Sequence, residues 1–168
     1  MLLLAFLFFF TPAGGSATDL NQIRERYYQS VTDEEATRDL YRELSSIPHP
    51  TALVLGYQAA LEALFAKHVW NPYSKLTWLD KAELSFAKAI RQDPTNVEIR
   101  FLRFTYQHYL PGFLKRSPNL DEDRAAIING LASNVNQPEP DLRKNVIRFL
   151  LESGRCSPVE LKLLRSLL

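Results

Sequence analysis

The stretch Ala82-Glu83-Leu84-Ser85-Phe86-Ala87-Lys88-Ala89-Ile90-Arg91-Gln92-Asp93-Pro94-Thr95-Asn96 decides how the rest of the chain reads. Placed on a helical wheel at about 100° per residue, Ala82, Phe86, Ala89 and Ile90 share one arc with Trp78 upstream, while Lys81, Lys88 and Arg91 fall outside it. That is an amphipathic helix running from about Ser74 to Gln92. Asp93-Pro94-Thr95-Asn96 ends it, because proline lacks a backbone donor and holds its predecessor away from α geometry, and a new helix starts beyond.

Working upstream, residues from about Thr51 to His68 are rich in Ala and Leu, and Gly56, Ala59, Ala60 and Ala63 let a neighbouring helix come close. The two helices form a hairpin around Trp70-Asn71-Pro72. Its second half resembles a tetratricopeptide (TPR) unit: Ala82, Phe86, Ala89 and Pro94 match that family's spacing, and Tyr73 falls in register with its aromatic position. Ala66, Val69 and Trp70 stand where the motif carries Trp, Leu and Gly. The hairpin is therefore TPR-like rather than a standard repeat, and the likeness covers about residues 51–110. It implies antiparallel helical hairpins in an α-α superhelix or solenoid and a groove that meets a protein or peptide partner. The chain is also similar to small exported bacterial TPR-like proteins.

Downstream of Pro94 the next helix is apolar on two sides. Val97, Phe101, Phe104 and His108 form one arc, and Ile99, Leu102, Tyr106, Tyr109 and Leu110 form another nearly opposite, so neighbours are expected on both faces. Between them runs a narrow polar stripe of Arg100, Arg103 and Gln107. Together with Trp70, Asn71, Tyr73 and Lys75 on the preceding corner and helix, these side chains are the candidate partner-binding residues, and the resemblance implies that the cations meet a peptide carboxylate. Internal pairing of the arginines with acids such as Glu62 or Glu83 stays open as the alternative.

The same three-and-four spacing covers the remainder from Thr18 onward, and no stretch alternates as a half-buried strand does. Helices are expected from about Thr18 to Ser30, from a Thr32 cap with Glu35 closing a capping box, after Asp121-Glu122-Asp123, from about Leu142, beyond the loop Gln137-Pro138-Glu139-Pro140-Asp141, to a Gly154 cap, and from Ser157-Pro158 onward. The class is all-α, with seven or eight helices in a single domain over 18–168.

Residues 1–17 differ in kind. Leu2 to Phe10 is an unbroken apolar run, followed by Gly14-Gly15-Ser16-Ala17, which reads as a signal peptide without a basic n-region. A run of nine residues is short against the ~20 that a spanning helix needs, so no permanent span is expected after cleavage. The mature chain is expected in the periplasm or outside the cell.

The 20 basic and 19 acidic residues nearly cancel, which argues against nucleic acid as a partner. His49, His68 and His108 show no metal-ligand spacing, Cys156 stands alone, and neither a phosphate loop nor a GxSxG elbow occurs, so no catalytic residue, metal or cofactor is assigned. The sequence points to a non-catalytic binding or scaffolding module. Its competitors are a structural subunit of an envelope assembly and a small enzyme using Tyr73, Lys75 and Arg100.

Overall fold

The computed structural model describes residues 19–133 and 137–168. The leader read from residues 1–17 lies outside the described residues. Among those described there are eight α-helices and no strand: α1 (Leu20–Ser30), α2 (Glu34–Ser45), α3 (Ala52–His68), α4 (Pro72–Gln92), α5 (Val97–Tyr109), α6 (Leu120–Ala132), α7 (Pro140–Glu152) and α8 (Pro158–Ser166), with one 3-10 turn at Gly112–Leu114. The protein is all-α.

Local chemistry sets the boundaries. Asn71, Asn96 and Ser157 turn side-chain oxygens onto the free N–H groups of α4, α5 and α8, and α4, α7 and α8 each carry proline in the first turn, where its missing donor costs nothing. Gly154 follows α7 at φ +67°, a left-handed turn that side chains with a Cβ resist. At α2 the cap is Asp33 rather than the expected Thr32: its carboxylate accepts from Glu35 N and Ala36 N at 2.8 and 3.1 Å. The capping box predicted with Glu35 is absent there and present instead in α8, between Ser157 and Glu160.

Short connections make consecutive helices antiparallel. Contacts that skip one helix then define a layer: α1 touches α3, α3 touches α5, and Phe101 and Phe104 of α5 meet Phe149 of α7 edge-on. The even helices α2, α4 and α6 pack against their odd-numbered partners, with α3 against α4 the most extensive contact. Two close approaches fix the spacing. A Cβ on Gly56 would stand 3.2 Å from Ile99, and one on Gly130 only 2.4 Å from Val97 Cγ2.

The buried side chains form two clusters. One gathers Leu40, Leu44, Leu61 and Phe86 with Ile99 and Leu102 of α5; the other gathers Ile127, Val146, Ile147, Leu150 and Leu164 with Val97 and Phe104 of the same helix. The two arcs of α5 are thus buried in two different cores. Tyr109 departs from its expected arc, being exposed and edge-on to Phe149.

Candidate functional site

The seven candidate residues do not line a common groove. Trp70 and Tyr73 stand at the α3–α4 corner with 95% and 82% of their surface exposed. Asn71 between them caps α4, accepting from Tyr73 N at 2.8 Å and Ser74 N at 3.4 Å. Lys75 turns back to α3, its Nζ donating to Ala66 O at 3.1 Å and Lys67 O at 3.5 Å, so a cation closes the carbonyl end of that helix. Asn71 and Lys75 therefore hold the corner, and only the two aromatic rings project from it.

Arg100, Arg103 and Gln107 face α6 and are 8%, 7% and 1% exposed. The fully buried Asp123 accepts from Arg103 Nε and Nη2 at 2.6 and 2.7 Å and from Arg100 Nη1 at 2.9 Å. Glu122 adds a second carboxylate to Arg100. Gln107 completes the seam, donating to Asn119 Oδ1 at 3.1 Å and accepting from Asn119 N at 3.0 Å. Burial opposes the Arg100 charge, yet the hydrogen bonds to Glu122 and Asp123 outweigh it and raise the pKa. The same bond from Arg100 lowers that of Glu122. The stripe lies in the seam between α5 and α6, its two guanidinium groups paired with buried Asp123 and exposed Glu122.

The identity of the pairing acids was not anticipated. Glu83 pairs with Arg116, and Glu62 with Lys81, while the arginines of α5 take Glu122 and Asp123. Those acids belong to the run Asp121-Glu122-Asp123, which lies in the first turn of α6; Asn119 makes no side-chain cap there, and Asp123 is fully buried.

A shallow groove of about 580 Å³, which the sequence did not reveal, lies between α2 and the α3–α4 hairpin. Its floor carries Tyr41, Phe65 and Trp78. The Phe65 and Trp78 rings lie 4.5 Å apart, and Tyr41 stands edge-on to both. Arg38, Arg42 and Ser45 form the rim. Lys81 Nζ sits 5.0 Å from the Tyr41 and Trp78 ring centres and donates to Tyr41 Oη at 2.6 Å; Tyr41 in turn donates to buried Glu62 at 3.0 Å. The second Glu62 oxygen has no hydrogen-bond partner among the described residues. Among the described residues the rim arginines pair only with exposed acids of their own helix, Arg38 with Glu34 and Arg42 with Asp39, contacts that solvent and a competing anion readily replace. The groove offers an apolar floor for a side chain and exposed cations for a carboxylate.

A third polar group ties the odd layer together. Glu98 of α5 accepts from Arg24 of α1 at 2.7 and 2.8 Å and from Tyr57 of α3 at 2.6 Å. The Glu98 hydrogen bonds raise the pKa of Arg24, and burial with the Glu98 charge raises that of Tyr57. Every charge in it has a protein partner. Among the described residues no group of three His, Cys, Asp or Glu side chains is placed to hold a metal ion, and no helix is long and apolar enough to cross a membrane. Burial raises the Cys156 thiol, which keeps it protonated and weakly nucleophilic. Compared with family models, curated proteins and solved structures, the chain matches none.

Proposed function

We propose that the chain is a non-catalytic binding or scaffolding module of TPR-like build, exported to the periplasm or beyond, which takes a protein or peptide partner in the groove between α2 and the α3–α4 hairpin. The observation that carries this is the groove itself: an open aromatic floor of Tyr41, Phe65 and Trp78 under a rim of loosely paired arginines suits an apolar side chain next to a carboxylate. The stacking of odd helices over even ones supports the TPR-like reading. The buried ionic groups support a non-catalytic one, because Asp123 and Glu98 are occupied by structural arginines rather than converging on a cleft. The partner-binding role expected of Arg100 and Arg103 passes to Arg38 and Arg42.

Photo-crosslinking tests this reading. With the reactive group at Ser45 on the groove rim, a discrete adduct identified by mass spectrometry is expected in native envelope extract, and none with the group at exposed Lys88. Equal labelling from both positions, or none from Ser45, would count against the groove. Export is checked by sequencing the terminus of chain recovered from the envelope: a new start near Thr18 is expected, and an intact Met1 would contradict it.

A further inference from the structure

The two ends of the helical array differ in chemistry. Antiparallel order places the corners that follow α1, α3, α5 and α7 at one end, and hydrogen bonds link them: Lys67 Nζ donates to Val31 O at 2.7 Å, and Arg155 Nε to His108 Nδ1 at 2.8 Å. Most of the large apolar side chains exposed among the described residues belong to this end, namely Tyr28, Trp70, Tyr73, Tyr109, Phe113 and Val159. Among the described residues, the corners at the other end, such as Asp93-Pro94-Thr95-Asn96, expose none of comparable size, and only the terminal Leu168 stands exposed beyond α8.

Charge is distributed unevenly at the same end. Residues 67–79 contain Lys67 and Lys75 and no acid, and residues 99–120 contain Lys115 and Arg116 beside the two buried arginines and again no acid. Arg116 is paired with Asp80 and Glu83, and the α1–α2 corner at this end exposes Asp33, Glu34 and Glu35, so it is the α3–α4 and α5–α6 corners, with exposed Lys67 and Lys115, that are aromatic and cationic together. Phe113 lies on the 3-10 turn immediately before Lys115, whose own backbone is left-handed at φ +51°. Lys115 is exposed and has no acidic partner among the described residues.

We propose that these two corners dock onto the surface of a bilayer containing anionic lipid. Trp70, Tyr73 and Tyr109 have the mixed apolar and hydrogen-bonding character that favours the headgroup layer, Phe113 enters the acyl boundary, and Lys67 and Lys115 face the lipid phosphates. The helices stay outside, so the surface is peripheral. It shares no residue with the groove between α2 and the α3–α4 hairpin, and failure of either assignment leaves the other standing.

The test uses the full chain with vesicles of phosphatidylcholine alone or mixed with phosphatidylglycerol. Residues 1–18 carry an apolar run of their own, so sedimentation alone does not report on this end. The readout is therefore Trp70 emission in a Trp78→Phe background, with the unmutated chain alongside. On mixed vesicles it should move to the blue and be quenched by brominated phosphatidylglycerol. Tyr73→Ala with Phe113→Ala should weaken that response about tenfold, at an unchanged thermal midpoint, since both rings are exposed. Lys115→Glu should weaken it several-fold, and less so in high salt. Trp70 emission unmoved on vesicles that sediment the protein would overturn the proposal, as would an equal response on phosphatidylcholine alone. A dimer in gel filtration that the Tyr73, Phe113 double variant dissociates, with no lipid response, would assign this end to contact between copies instead.

Discussion

Arg24 and Glu98, 74 residues apart in sequence, meet through two parallel hydrogen bonds of 2.7 and 2.8 Å, and the helix between them supplies Tyr57 as a third member. One carboxylate thereby joins α1, α3 and α5. Glu98→Ala should destabilise the fold by about 3 kcal/mol, because it strands a guanidinium and a buried phenol together. Arg24→Ala should cost less, since water reaches its position. Urea unfolding of both variants checks the order; equal small effects would mean that the layer is held by packing alone.

Gly130 is a point of close approach between α6 and α5. Ala is ordinarily the better helix residue by about 1 kcal/mol. Here the added methyl would collide with Val97 Cγ2, part of a β-branched side chain that is stiff at χ1. Gly130→Ala should therefore destabilise by about 1–3 kcal/mol. In a Val97→Ala background the same change should be nearly neutral or favourable, and a double-mutant cycle measures that coupling.

Asp123 neutralises two arginines with no exposure of its own. Asp123→Ala should cost about 3–5 kcal/mol by leaving Arg100 and Arg103 buried and short of partners. Trp70→Ala, at a residue that touches little, should stay within about 0.5 kcal/mol. Denaturation midpoints of the two variants separate the role in folding from the role at the surface.

His108 gives a pH dependence with a definite sign. Its Nδ1 accepts from Arg155 at 2.8 Å, which requires the neutral ring; burial first, and the Arg155 charge second, lower its pKa below the ordinary 6.5. The unfolded chain then binds a proton more readily than the folded one. Stability from this group is complete above 6.5 and is lost as pH falls through the depressed folded value. Arg155→Ala should raise the His108 pKa in an NMR titration and flatten that part of the profile. An unchanged titration would remove Arg155 as a cause.

The course of the chain was legible because it is written in local chemistry. Proline and asparagine at Asn71-Pro72 and Asp93-Pro94, and glycine at Gly154, set helix ends within a residue or two, and the two arcs of α5 announced two neighbours. What a wheel cannot show is the register of the facing helix. Arg100, Arg103 and Gln107 look the same from sequence whether they meet solvent or Asp123, 20 residues beyond Arg103 across a turn. The groove was invisible for a related reason: Tyr41, Phe65 and Trp78 come from three helices, whose mutual register no wheel shows. Trp70 and Tyr73 drew notice as a corner rich in recognition groups, and they alone of the seven candidates are strongly exposed aromatic side chains.

With Ile99 and Leu102 in one cluster and Val97 and Phe104 in the other, α5 is a wall common to both halves of the molecule. Arrays whose neighbours meet only in pairs can shed units from an end. Here, detaching α6, α7 and α8 strips one side of the helix on which the other half is built. The two halves should lose their structure in a single heat-absorption peak, and a ligand that steadies α2 should delay hydrogen exchange in α7.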